Sequence, residues 1–218
     1  MHVSDSQVTY HIVDAFTAQP FKGNPAAVVV INDQHIKLST EKCQLIAREF
    51  NQPATAFVIH NGQMTPSKEG KSVAFDLRWF TPTGELPLCG HATLAASKLL
   101  FSETFRYLLP PSVNSLIFNT LSGLLQADLL NDGRLQLSFP SGKTESVISS
   151  KDKIERILTK SFGENASIAQ LSQGVGHFST WLVVELAKDI DLEHLPVQPE
   201  ILVSELKLSS FHCLFSNR

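Results

Sequence analysis

A thiol, a glycine and an imidazole stand side by side at Cys89-Gly90-His91, directly before the apolar stretch HATLAASKLLF at residues 91–101. That stretch has almost no polar face, which predicts a helix buried on most sides. The first amides of a helix have no partners within it and its dipole is positive there, so this end attracts carboxylate or developing enolate charge. We therefore expect Gly90, His91 and Ala92 to border a binding site for an anionic group.

The same residue types also have structural explanations. An imidazole can shuttle a proton near neutral pH, but His91 can equally be a polar residue that caps a buried helix. A thiol at a helix N-terminus can have a lowered pKa, but Cys89 can also be a small buried core residue. Asn24, in the segment GNPAAV, can hold polar groups of a substrate or belong to an ordinary turn before a strand.

Strand-like segments surround the predicted buried helix. Their alternating or β-branched patterns, and a meander broken by Ser122-Gly123 and by residues 131–133, predict an α+β fold. A helix capped by Ser39 or Thr40 is expected at residues 38–50. The dipeptide Asn61-Gly62 predicts a turn. The predicted strands are residues 8–16, 26–31, 55–60, 75–81, 115–121, 123–130 and 134–139.

A junction is expected at Pro140-Ser141-Gly142, which divides the chain into a first lobe at residues 1–140 and a partial second lobe at residues 141–218. Beyond the junction, residues 152–163 predict a helix, because four apolar residues share one face and a glycine follows. Residues 181–186 predict a strand, and a last apolar stretch lies near residues 211–215.

The composition is that of a globular protein, with 43% apolar and 18% charged residues among 218. The net charge of -3 and the scattered lysines and arginines argue against nucleic-acid or membrane partners. No signal peptide or spanning segment is expected. Three widely spaced cysteines predict reduced thiols and a cytoplasmic location, and the histidines lack metal-ligand spacing, so no metal is expected.

Three blocks of sequence carry a family resemblance: VDAFTAQPFKGNPAAVVV, NQPATAFV and LRWFTPTGELPLCGHATLAAS. In this order they resemble the phenazine-biosynthesis PhzF-like family of the diaminopimelate-epimerase-like superfamily. The resemblance implies two pseudo-symmetric lobes, each a curled sheet or barrel around a central helix, with an active site in the cleft between them. It also implies a cofactor-free isomerase that moves a proton between carbons of a small carboxylate-bearing metabolite, and a homodimer.

The resemblance assigns roles to several residues. His91 matches a family histidine near the substrate, Asn24, Gly90 and Ala92 fall at substrate-binding positions, and Cys89 lies where related epimerases keep a catalytic thiol. The family's acid/base glutamate, in a block of the form N-x-S-E-T-A-F-V, is replaced here by Ala54. The second lobe's motif, of the form D-P-x-T-G-S-A-H, is not found, and the chain ends where relatives continue, so the second lobe is expected to be incomplete.

These departures leave three functions open. The chain can be an isomerase or epimerase that acts on a small carboxylated metabolite. It can instead be a catalytically silent family member that binds a small molecule or a partner, which the methyl group of Ala54 favours because it carries no proton. The third possibility is proton transfer by Cys89 together with a base from elsewhere in the chain.

Overall fold

The computed structural model describes residues 9–32, 36–67, 70–146, 151–163, 167–176, 179, 181–191, 194–206 and 212–216. The chain forms two compact units, Met1–Pro140 and Ser141–Arg218. Within the described ranges, no helix is both long enough and apolar enough to cross a membrane.

The first unit is built on one large sheet. Its strands pair in the order β1-β2-β3-β4-β6-β7-β8, with β5 paired to β4. The β2–β3 and β4–β6 pairs are parallel, and the other pairs are antiparallel. The strands are β1 Thr9–Ala15, β2 Asn24–Ile31, β3 Thr55–Ser67, β4 Gly70–Phe80, β5 Glu85–Leu86, β6 Ser115–Thr120, β7 Gly123–Leu129 and β8 Leu135–Ser138. Two helices, α1 Thr40–Phe50 and α2 Gly90–Leu100, and a short 3-10 helix, Arg106–Leu108, complete the unit.

The sheet curls around α2. This helix contacts β1, β2 and β3 at one end of the strand order and β8 at the other end. A single straight helix can touch both ends of a sheet only if the sheet bends around it, which the natural twist of strands permits. The predicted α+β fold of the diaminopimelate-epimerase-like type, a curled sheet around a central helix, is confirmed.

Small residues allow α2 to lie inside the sheet. Ala92, Ala95 and Ala96 are at most 1% exposed, and within the helix only Lys98 is exposed. Two hydroxyls find partners in the helix itself, since Thr93 Oγ1 donates to the Cys89 carbonyl at 2.6 Å and Ser97 Oγ donates to the Thr93 carbonyl at 2.8 Å. Both buried hydroxyl groups therefore have hydrogen-bond partners. The prediction of an enclosed helix is confirmed.

Helix α1 covers the opposite face of the sheet. Its Cys43 and Ala47 pack with Val29 and Ile31 of β2 and with Phe57 and Phe80 of the neighbouring strands. Ser39 caps the helix by accepting a hydrogen bond from the Lys42 amide at 3.3 Å. Asn51 ends it in the left-handed conformation, with a φ of 49°. The predicted helix and its cap are confirmed.

The prediction of a turn at Asn61-Gly62 is wrong. Strand β3 runs through this dipeptide to Ser67, and its pairing with β4 continues to Ser67 opposite Gly70. The register of the pair shifts between His60 and Met64. The dipeptide thus serves as a bulge, which accommodates extra residues without reversing the chain.

The second unit is a smaller sheet with two helices. Its strands pair in the order β12-β11-β10-β9. The α3 residues Ile157, Leu158 and Phe162 pack with alternate β11 residues and with Leu202 of α4. The elements are β9 Thr144–Ser146, α3 Lys151–Phe162, β10 Ile168–Gly174, β11 Trp181–Leu186, α4 Pro199–Leu206 and β12 His212–Ser216.

Three elements of the second unit, β9, β10 and α4, lack a matching prediction. Strand β10 has the sequence IAQLSQG, in which polar residues interrupt the apolar pattern that would predict a strand. Helix α4 begins at Pro199, a residue that is tolerated in the first turn of a helix although it usually marks a loop. The expected helix at 152–163 and strand at 181–186 are confirmed. Of the apolar stretch near 211–215, residues 212–215 lie in β12, and residue 211 lies outside the described residues.

Close backbone packing before β2 gives a first prediction. A Cβ on Gly23 would lie 2.3 Å from the Ala15 carbonyl oxygen and 2.6 Å from Thr17 Cγ2. Because the nearer atom belongs to the backbone, Gly23→Ala is expected to lower the free energy of unfolding by about 1–3 kcal/mol, measured by urea denaturation.

The matched control is Gly84→Ala. A Cβ at Gly84 has no neighbour within 4 Å, so its effect is expected to stay within about 0.5 kcal/mol. Equal unfolding midpoints for the two variants would contradict the packing at Gly23.

Candidate functional site at the start of the central helix

Two of the sequence blocks meet at the N-terminal end of α2. The Pro25 carbonyl of β2 lies close enough to the His91 ring to influence its pKa. The third block joins through the backbone, because the Ala27 amide of β2 donates to the Ala54 carbonyl at 3.0 Å, just before β3 begins. Parallel pairing of β2 and β3 sets this alignment. Segments far apart in the chain are thereby brought to one end of one helix.

Cys89 and His91 form a side-chain pair. The Cys89 Sγ lies 3.4 Å from His91 Nδ1, and Cys89 is only 6% exposed. Cys89 occupies the cap position of α2 with an extended backbone, φ -146° and ψ 107°. Its carbonyl accepts hydrogen bonds from both the Thr93 amide and the Thr93 hydroxyl. The backbone that carries the thiol is therefore held firmly by the helix.

Burial changes the acidity of both groups. It raises the pKa of the Cys89 thiol to about 11, with the Ala92 amide acting in the opposite direction. It also lowers the pKa of His91, and the Pro25 carbonyl opposes that shift. A lowered thiol pKa was expected from the helix N-terminus alone, and the effect of desolvation is larger. At neutral pH the pair consists of a neutral thiol and a neutral imidazole.

The second ring nitrogen of His91, Nε2, is buried and makes no hydrogen bond with any residue that the structure describes. An unpaired buried polar atom costs free energy, and such atoms occur where a ligand or a water molecule completes the bond. Nε2 of His91 is therefore a buried polar atom that the described residues leave without a hydrogen bond.

The expected substrate-binding residues differ in their surroundings. Gly90 is partly buried, and a Cβ there would meet only the Phe139 ring, at 3.7 Å. Packing thus does not require glycine at this position, and the missing side chain leaves space. Ala92 is fully buried, so it can offer only its backbone. Asn24 is exposed at the first residue of β2.

Ala54 lies immediately before β3 and is fully buried. Its backbone carbonyl is used by the β2–β3 pairing, and its methyl side chain has no proton to give or take. The family that the sequence resembles has a glutamate at this position. In this chain, the position therefore supplies no acid/base group.

Sequence reasoning did not single out Pro25 or Phe139. Pro25 acts through its carbonyl, which every residue type possesses, so no sequence signal marks it. Phe139 follows β8 directly, is 42% exposed and lies beside Gly90. The alternation of residues 135, 137 and 139 places it on the inner face of the sheet, and this pattern could have identified it.

Two other polar residues serve the structure. Arg78 forms a bidentate ion pair with Glu85, at 2.7 and 2.8 Å, and also donates to Thr40. Asp14 accepts a hydrogen bond from the Phe21 amide at 3.2 Å. No group of three or more metal-ligating side chains occurs in the described part of the chain.

The lowered pKa of His91 predicts a pH dependence of stability. Folding favours the neutral ring, so the contribution of His91 is present above the unfolded pKa of about 6.5 and is lost as the pH falls through the lower folded value. The variant His91→Asn should therefore lose less stability than the wild type between about pH 7 and pH 5, measured by urea denaturation at each pH.

His194→Asn is the control for loss of a histidine from an exposed position. This variant supplies the reference slope with which the His91→Asn slope is compared. A slope unchanged by His91→Asn would contradict the burial of the His91 ring.

Comparisons with known proteins agree with this architecture. A sequence model of the family described as "Phenazine biosynthesis-like protein" matches residues 13–213. A human protein named "Phenazine biosynthesis-like domain-containing protein" is 45% identical over 124 residues, which cover 56% of this chain and 39% of that protein. A Pseudomonas aeruginosa protein named as an uncharacterized isomerase is 39% identical over 152 residues, 70% of this chain and 51% of that protein.

Solved structures give the same relationship. The crystal structure of a phenazine biosynthesis protein of the PhzF family from Enterococcus faecalis matches with a TM-score of 0.62 and 30% identity, over 90% of this chain and 64% of that chain. A PhzF-family structure from Bacillus anthracis also gives 0.62, with 25% identity, 97% of this chain and 69% of that chain. The match spans about half or less of the two named relatives. The chain belongs to the phenazine biosynthesis-like, or PhzF, family.

Proposed function

We propose that this chain is an isomerase-type protein that binds a small carboxylate-bearing metabolite at the start of α2 and moves a proton on it without a cofactor. The observation that carries the proposal is the neutral His91 ring in the first turn of an enclosed helix, whose Nε2 is buried and has no hydrogen-bond partner among the described residues. The name of the Pseudomonas aeruginosa relative, an uncharacterized isomerase, agrees with this reaction class.

The chemistry of the site supports this proposal. The amides of Gly90 and Ala92 belong to the first turn of α2, where a carboxylate is stabilised by unpaired N–H groups and by the helix dipole. When a C–H bond next to the carboxylate breaks, its electron pair moves onto the carboxylate as an enolate. The same amides then stabilise the additional negative charge.

His91 is the group best suited to exchange the proton. Its lowered pKa keeps the ring neutral at neutral pH, so the ring carries one proton. If that proton lies on the nitrogen that meets the ligand, His91 can give it to the ligand; if it lies on the other nitrogen, His91 can accept one. Cys89 is a poorer base, because a thiol with a pKa of about 11 is ionised in only about one molecule in ten thousand at pH 7. Catalysis by Cys89 therefore remains the weaker of the two predictions.

A catalytically silent binding protein is the second candidate function. Ala54 favours this second candidate, because its buried methyl group occupies the position of the acid/base glutamate in the family that the sequence resembles. A general acid/base contributes about 10²–10⁴-fold to rate, so its loss leaves binding intact while it removes most turnover. The expected homodimer and cytoplasmic location stay predictions.

Binding of carboxylates gives the first test. In a thermal-shift screen of small amino acids and hydroxy acids, we expect at least one compound to raise the melting temperature, because a ligand that binds only the folded state stabilises it by about 2.7 kcal/mol at 100 times its Kd. The variant His91→Ala should reduce this shift.

Lys98→Ala is the matched control, since Lys98 lies exposed on the same helix away from its first turn. A carboxylate shift that His91→Ala leaves intact would remove His91 from the binding site.

Hydrogen exchange at carbon separates the two candidate functions. If the chain is an isomerase, incubation in D₂O with the bound carboxylate should replace the hydrogen next to the carboxylate with deuterium, followed by NMR, and His91→Ala should slow this exchange.

If the chain is catalytically silent, the wild type should show binding without exchange. Ala54→Glu should then increase exchange, within the range of about 10²–10⁴-fold. Exchange by the wild type that His91→Ala does not change would contradict the role of His91.

A further inference from the structure

We propose that the Cys89 thiol donates a hydrogen bond to His91 Nδ1 and so holds the imidazole in the tautomer that carries its proton on Nε2. Cys89 is then a positioning residue that acts through His91. The consequence for ligand binding rests on the proposed function, but the tautomer itself is a property of the free protein.

The geometry of the pair supports the direction of the hydrogen bond. Sγ and Nδ1 lie 3.4 Å apart, and the thiol is nine-tenths buried. A neutral thiol has one proton and is a weak acceptor, whereas a bare imidazole nitrogen is a good acceptor. If Nδ1 carried the proton instead, it would face a weak acceptor and the S–H group would lose its acceptor on the ring. Donation by the thiol satisfies both atoms.

The other ring nitrogen is left to carry the proton. Nε2 is buried and completes no hydrogen bond with the described residues. An N–H at Nε2 therefore stays available to an incoming acceptor.

The tautomer defines the ligand chemistry. With its proton on Nε2, His91 presents a donor beside the donor amides of the first turn of α2. All these groups then favour a ligand that offers oxygen acceptors, such as a carboxylate, over one that offers an N–H or an ammonium group at this point. The opposite tautomer would place an acceptor among donors.

Nitrogen NMR tests the tautomer directly. In the ¹⁵N-histidine-labelled full chain, at a pH well above the ordinary histidine pKa of about 6.5, long-range ¹H–¹⁵N correlation distinguishes the two ring nitrogens. The His91 signals are assigned by their absence from His91→Asn. We expect a single pattern with the proton on Nε2. A pattern with the proton on Nδ1 would overturn the proposal.

Two variants test the role of the thiol. Cys89→Ala removes the donor and should give a mixture of both tautomers, whereas Cys89→Ser restores an O–H donor and should return the single pattern. Because the readout is the ring itself, a purely structural role of Cys89 would not produce this rescue. A Cys89→Ala spectrum identical to the wild type would also overturn the proposal.

A separate experiment measures how tightly the Cys89 variants bind a carboxylate that has been selected in the thermal-shift screen. Cys89→Ala should weaken its binding by up to about tenfold, the value of one hydrogen bond, and Cys89→Ser should restore it. Loss of the single tautomer without weaker binding would support the positioning of the ring and contradict the proposed binding role, so the two failures can be told apart.

Discussion

The enclosure of α2 by the curled sheet is the constraint on which the rest of the first unit depends. Strands from both ends of the sheet contact the helix, and this is possible only because Ala92, Ala95 and Ala96 present almost no side chain. Close packing at this density gives a buried helix little freedom to shift. Its N-terminal turn is therefore held in one place, together with the residues that precede it.

Enclosure also determines the chemistry of the helix start. An exposed helix N-terminus lowers the pKa of a thiol, but at Cys89 burial removes the water that would solvate a thiolate, and the pKa rises. The same desolvation lowers the pKa of His91. Both groups become neutral hydrogen-bonding partners at neutral pH. The proposed function therefore assigns the negative charge at this site to the ligand and not to the thiol.

The chain belongs to the PhzF family, and at the candidate site it departs from the sequence pattern expected for that family. The position of the expected glutamate is filled by Ala54, whose carbonyl still takes part in strand pairing. The backbone framework around the site is kept although the acid/base side chain is not. Under the proposed function, such a site keeps the means to bind a carboxylate without the family's acid/base glutamate.

Much of the first unit follows from local sequence. The apolar, small-residue pattern of residues 91–101 predicts a buried helix, Ser39 predicts the start of α1, and the alternating segments predict the strands, because each signal acts between residues close together in the chain. The polar strand β10, the proline-led helix α4 and the bulge at Asn61-Gly62 are not predicted in this way. Their local signals are weak or point to turns, and tertiary contacts override them.

The family blocks indicate which residues gather at the site, and the sequence by itself determined that a thiol and an imidazole stand at a helix start. Only the tertiary structure decided how they behave. The pKa of Cys89 depends on burial by the curled sheet, and the approach of the Pro25 carbonyl and the Phe139 ring depends on the strands on which they lie. Desolvation and long-range contacts arise only when distant segments pack together, so no local pattern encodes them.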